Sequence, residues 1–297
     1  MSLAASTLPP MATLRLVFTL YCCSLLLLSN FDLSSCSRPI KSSTGHFNQS
    51  INAELARWSP AGATWYGSPD GAGSDGGACG YVNDVSQPPF SSMVTAVGPS
   101  LYNSGKECGA CYQIKCTGDP SCSGHPVRVV ITDSCPGGDC ASESAHFDLS
   151  GTAFGAMALP GKESKLRNAG VLQISYARVP CEYSGKTVTF HVDAGSNEDY
   201  LAVVVEFEAG DGDLATVALK QSSTSTAAGQ HSDNNDQWQP MQQSWGAVWK
   251  LDAGGKLSPP FSIKLTSRLS GETLVADNVI PVGWRPGATY RSLVNFH

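Results

Sequence analysis

Four short segments in the first half of the chain carry side chains suited to acid–base work or to holding a polar ligand. They are Thr64-Trp65-Tyr66-Gly67, Asp75-Gly76-Gly77-Ala78-Cys79-Gly80, Thr132-Asp133-Ser134-Cys135 and His146-Phe147-Asp148. Together they supply three aspartates, a histidine, three aliphatic hydroxyls, a phenol and an indole. Two carboxyl groups facing one another could act as a general acid and a general base, one giving a proton and the other activating water. The same groups could instead hydrogen-bond a polar ligand while Trp65 and Tyr66 offer it flat ring faces. Each segment alone is a weak signal. A lone aspartate is more often a turn or cap residue than a catalyst, Thr64 and Asp75 could merely shape a loop, and Trp65 is as readily a core residue as a ligand platform.

The cysteines locate these segments in one stapled domain. Of eleven, Cys22, Cys23 and Cys36 lie in or beside an N-terminal apolar run. Cys79, Cys108, Cys111, Cys116, Cys122, Cys135, Cys140 and Cys181 remain, and none follows residue 181. An even set confined to one half of an exported chain points to a disulfide-bonded domain followed by a disulfide-free one. Zinc at Cys108-x-x-Cys111 is disfavoured by oxidation on export and by the lack of a matching pair. No metal, cofactor or free thiol nucleophile is expected.

Export itself is read from Arg15 and the apolar stretch 16–28, followed by Ser34, Ser35, Cys36 and Ser37. This is a signal-peptide pattern over 1–36, shorter than the roughly 20 apolar residues of a membrane span. Residues 37–55 form a polar extension, and its Asn48-Gln49-Ser50 sequon marks Asn48 as a glycosylation site. Formal net charge is -6 with 15% charged residues, so phosphate backbones would be repelled and nucleic acid is excluded as a partner.

Between residues 56 and 181 the strand-like pieces are short: 110–115, 127–132 and 171–179, with one small-residue helix over 149–158. A linker at 182–186 leads into 187–297, where 187–192, 201–208, 215–220, 247–252 and 261–266 read as strands of a sandwich. The stretch 221–237 is a long polar loop. In 200–208, Leu201, Val203, Val205 and Phe207 share one face. Tyr200 shares the other with Glu206 and Glu208, which predicts that Tyr200 faces out. Trp245 has the parity of Trp249, but a bulge at Gly246 would leave Trp245 exposed and Trp249 buried. Trp238 and Trp284 are read as packing residues.

Taken together, Gly76-Gly77-Ala78-Cys79-Gly80, the His146-Phe147-Asp148 triplet leading into Leu149-Ser150-Gly151-Thr152-Ala153-Phe154, and Ser244-Trp245-Gly246-Ala247-Val248-Trp249 resemble the β-expansins over nearly the whole mature chain. The resemblance implies an all-β fold, a six-stranded double-psi β-barrel similar to family-45 glycoside hydrolases followed by an immunoglobulin-like β-sandwich. It implies the pairs Cys79–Cys108, Cys111–Cys181 and Cys116–Cys122. Cys135 and Cys140 are then left over and are expected to pair, since their Pro-Gly-Gly-Asp spacer can turn back sharply.

Asp148 matches the acid position of the related glycosidases and Tyr66 their active-site tyrosine, but their base position falls on Ser68, a poor base. The chain is therefore read as no enzyme. It is expected to be a monomeric plant cell-wall protein that loosens cellulose and xylan-type contacts without cutting, stimulated by acid. Thr64, Trp65, Tyr66, Asp75, Asp133, His146, Asp148, Tyr200 and Trp245 form its polysaccharide-binding set. The rivals are an endoglycanase with Asp75 or Asp133 as relocated base, and a carbohydrate-binding defence protein. Two features depart from the family pattern: the long 221–237 loop, and an acidic charge unlike the basic pollen-type relatives.

Overall fold

The computed structural model describes residues 57–222 and 237–297. The signal segment, the extension with Asn48, and nearly all of the 221–237 loop lie outside the described residues. Among the described residues no helix is long and apolar enough to cross a membrane.

Six strands close a barrel: β1 (Ser59–Tyr66), β2 (Val94–Val97), β3 (Cys111–Cys116), β4 (Val127–Ser134), β5 (His146–Ser150) and β6 (Leu172–Val179). Their spatial order is β1-β5-β2-β4-β3-β6. The pairs β1/β5 and β2/β4 are parallel and the other neighbours antiparallel. β4 is built from β-branched residues, and its Val129 and Ile131 are fully buried. Short helices fill the connections: α1 (Pro99–Tyr102), α2 (Asp139–Ser142), α3 (Gly151–Ala156) and α4 (Glu163–Arg167). The helix expected over 149–158 is shorter, because Leu149 and Ser150 complete β5. The Ser150 hydroxyl then accepts the Ala153 N–H at 3.0 Å and caps α3.

All four disulfides, Cys79–Cys108, Cys111–Cys181, Cys116–Cys122 and Cys135–Cys140, lie in or at the edge of this barrel.

The second domain contains β7 (Thr189–Val192), β8 (Tyr200–Glu206), β9 (Leu214–Gln221), β10 (Gln239–Trp245), β11 (Val248–Asp252), β12 (Phe261–Ser267), β13 (Thr273–Ile280) and β14 (Thr289–Arg291). One half of β10 pairs with β9 and the other with β11, so this strand passes between the two layers. Phe190, Leu201, Val203, Val205 and Trp249 from one layer share a core with Val217, Leu219, Phe261, Ile263 and Leu265 from the other.

The expected outward face of β8 needs correction. Ala202 and Val204 join the barrel's own buried cluster, together with Ala247 and Val248. Glu206 and Glu208 are only 1% and 4% exposed. Tyr200 is half-buried against the same cluster rather than turned to solvent. The glutamates mislead because they are not hydrated anions. Burial, with the nearby charges of Asp84 and Glu208, pushes Glu206 up to about 9, and burial pushes Glu208 up to about 8.

Around them the domains are tied by charged and backbone bonds. Arg178 donates to Glu107 at 2.6 Å and to Asp213 at 2.7 Å, and Arg268 donates to Asp213 at 3.1 Å. The Ala247 N–H donates to the Cys79 carbonyl at 2.9 Å. The Gln243 amide donates to the Gly105 carbonyl at 3.1 Å.

Candidate functional site

Parallel pairing of β1 with β5 sets Thr64 beside Asp148 and Gly62 beside His146. Alternation along β1 puts Thr64 and Tyr66 on one face and Trp65 on the other. The Thr64 hydroxyl donates to Asp148 Oδ1 at 2.6 Å and lies 2.8 Å from His146 Nε2. His146 is fully buried, and its Nδ1 lies 2.8 Å from Glu143 Oε2. Burial raises the Asp148 carboxyl above its usual range. The Thr64 bond and the His146 charge oppose the rise, and the charge of Asp133 adds to it.

Asp133, at the end of β4, is held from all sides. Oδ1 accepts the N–H groups of Ala78 at 2.6 Å and Ser134 at 2.8 Å. Oδ2 accepts the Ser74 hydroxyl at 2.9 Å and the Tyr66 phenol at 3.4 Å. A carboxylate offers about four lone-pair sites, and here four donors point at them. Burial and the charge of Asp133 raise the Tyr66 phenol well above its usual value, so it remains a donor.

In the 76–80 run, Gly77 and Gly80 answer to close approach. Gly77 has φ +48°, and a Cβ there would press on the Thr132 carbonyl. The Cys79 N–H donates to that carbonyl at 3.1 Å.

Asp75 is exposed on this loop, and the loop's side-chain bond to Asp133 comes from its neighbour Ser74. Trp65 is half-buried against the barrel core, its indole N–H donating to the Arg167 carbonyl at 3.0 Å. It stands apart from the acid cluster. Ser68 is exposed in a turn. The Cys135 and Cys140 sulfurs lie within 4.8 Å of the Asp148 carboxylate, but they are bonded to each other and offer a metal no thiolate.

Trp245 is 50% exposed and Trp249 6%. The count between them is broken by a two-residue turn, Gly246-Ala247, and not by a bulge at Gly246 itself. The register slip lies earlier, between Gln243 and Trp245. This hairpin tip sits on the barrel, since a Cβ on Gly80 would meet the Trp245 ring at 3.1 Å. One loop therefore serves both places: Ala78 N–H binds Asp133, the Ala78 carbonyl accepts the Tyr102 hydroxyl at 2.8 Å, and Gly80 backs Trp245.

Ser74 and Glu143 are the site residues that sequence reasoning missed. Glu143 had one available signal, its place three residues before His146.

The family model described as Expansin C-terminal domain matches residues 188–281, and the one described as Lytic transglycolase matches 94–176. Putative expansin-B2 of Arabidopsis thaliana is 55% identical over 284 residues, covering 95% of this chain and 96% of that one. The chain belongs to the expansin family. Expansin-B11 of Oryza sativa subsp. japonica is 56% identical to this expansin over 241 residues, 80% of this chain and 78% of that one. The fold of this expansin is similar to that of the apo expansin of Clavibacter michiganensis, with TM-score 0.58 and 24% identity over 81% of this chain and 98% of that one. A mutant of that bacterial expansin, solved in complex with cellohexaose, gives TM-score 0.57.

Proposed function

We propose that this expansin acts outside the cell, in the plant wall, where it grips cellulose and xylan-type chains and releases their non-covalent contacts without cutting them. Family membership and the cellohexaose complex of the bacterial relative support polysaccharide as the partner. Thr64, Tyr66 and Asp148 would meet the sugar hydroxyls, held in place by the buried His146 and the fully bonded Asp133, with Asp75 at the rim. The half-exposed Trp245 supplies the ring surface, and Trp65 and Tyr200, packed against the barrel core, add only their exposed edges. Binding a strained or displaced chain better than a packed one would shift the equilibrium toward slippage under tension.

The observation that carries the non-hydrolytic reading is the state of Asp133. Four donors already converge on its two oxygens, three of them at 2.6–2.9 Å, which weakens Asp133 as an acceptor of a proton from water. One observation favours the hydrolase reading: the raised Asp148 carboxyl suits a general acid. The deciding experiment measures creep of a clamped wall strip beside the release of reducing ends from xylan and cellulose. Creep without reducing ends is expected, and steady release of reducing ends would overturn the proposal.

A further inference from the structure

Glu143 stands immediately after α2, on the segment that Cys135–Cys140 pins beside the cleft. Its carboxylate is the start of an unbroken line: Glu143 to His146 at 2.8 Å, His146 to Thr64 at 2.8 Å, Thr64 to Asp148 at 2.6 Å. A carboxylate at Nδ1 requires an N–H there. The Thr64 hydroxyl has one proton and two acceptors to serve, Nε2 and Asp148 Oδ1. With Asp148 ionised and Nε2 bare, one of those two contacts has no hydrogen in it.

One added proton completes both contacts, in either of two ways. The carboxylic acid of Asp148 donates to Thr64, which donates to Nε2. Alternatively, Nε2–H donates to Thr64, which donates to the Asp148 carboxylate. The two arrangements interconvert by shifting two hydrogens along the line, with no heavy atom moving.

Gly62 gives an independent sign that the place is built for Glu143. Its φ is not in the left-handed region, so its backbone makes no demand for glycine. Yet a Cβ there would run into the Glu143 carboxylate. Glycine in the middle of a strand is unfavourable, and here it leaves room for that group.

We propose that Glu143 is a positioning residue of the cleft: by claiming the Nδ1 hydrogen it turns Nε2 toward Thr64, and through the Thr64 hydroxyl it governs whether Asp148 meets a glycan as a charged carboxylate or as a neutral acid. This rests on the cleft being the glycan site. The charged group facing Asp148 besides His146 is Asp133, and Glu143 itself is about one-third exposed.

The test is an NMR titration of the free protein, following the His146 ring nitrogens and the Asp148 carboxyl carbon from acid to neutral pH, with xylan binding measured over the same range. The wild type should show the Nδ1–H form of His146 at neutral pH. Glu143→Gln keeps the shape and removes the charge. It should move the midpoint of proton uptake by the line down by about one pH unit, a tenfold change in proton concentration. Glu143→Asp should recover part of the shift. Gly62→Ala displaces the carboxylate without removing its charge and should disturb the same ring signals. Superimposable titrations of wild type and Glu143→Gln, or an Nε2–H form in the wild type at neutral pH, would overturn the assignment. If the titrations shift as expected but xylan binding does not follow, the positioning role stands and the glycan reading of the cleft falls.

Discussion

Replacing Glu206 by glutamine should remove much of the pH dependence of folding. Glu206 lies at 1% exposure between barrel and sandwich, its Oε2 without a hydrogen-bond partner among the described residues. Burial first, then the facing Asp84 and nearby Glu208, lift it from 4.5 to about 9. The folded chain therefore keeps a proton that the unfolded chain releases. Its stabilising effect is complete below about pH 4.5 and declines as pH rises, until the folded group itself ionises near 9. The slope is about 1.36 kcal/mol per pH unit. Between pH 4.5 and 7 this one group should withdraw on the order of 3 kcal/mol, a large part of a typical folding free energy. Glu208, at about 8, acts in the same direction. The two do not simply add, because the charge of Glu208 is one of the causes of the rise in Glu206. Glutamine copies the protonated acid in shape and can donate to Asp84. Urea unfolding at acid and neutral pH should show a steep loss of stability in the wild type and a loss smaller by about 3 kcal/mol in Glu206→Gln. An unchanged slope in the variant, or a wild type that gains stability from pH 4.5 to 7, would refute the reasoning.

Other outcomes follow from the same geometry. Trp245→Ala should weaken cellulose binding about tenfold, or roughly 1.4 kcal/mol, with unchanged unfolding. Trp249→Ala, in the core, should instead cost about 3–5 kcal/mol in denaturant unfolding. Asp133→Asn should lower xylan affinity in a pull-down, since the Ala78 and Ser134 N–H groups lose their charged acceptor, and should leave reducing-end release at background. Removing Cys111–Cys181, whose residues are 70 apart, should cost about 4 kcal/mol by loop entropy, and removing Cys135–Cys140, 5 apart, about 2 kcal/mol. Thermal melts of the paired serine variants would rank them.

The parts legible in the sequence were those whose cause is local. Val127–Ser134 and Phe261–Ser267 announce themselves by β-branched and alternating residues, and Gly77 by a conformation few other residues adopt. Thr273–Ile280 was missed because only Ala276 and Ile280 are buried, so no alternation shows. Parity correctly separates the two faces of Tyr200–Glu206, but it does not say what covers the second one. Reading glutamate as a mark of water failed there, because barrel residues around Asp84, more than a hundred positions earlier in the chain, supply the cover. Ser74 and Glu143 escaped for a similar reason: both lie outside helices and strands, and their approach to Asp133 and His146 is fixed by loop geometry and not by a repeating pattern.

The hairpin that carries Trp245 is fastened to the barrel by Ala247, Gln243 and the backbone around Gly80. Cleft and outlying ring thus behave as points on one stiff template. A long polymer laid across both must itself do the bending, so the distortion that the proposed slippage requires would accumulate in the sugar chain and not in a hinge of the protein.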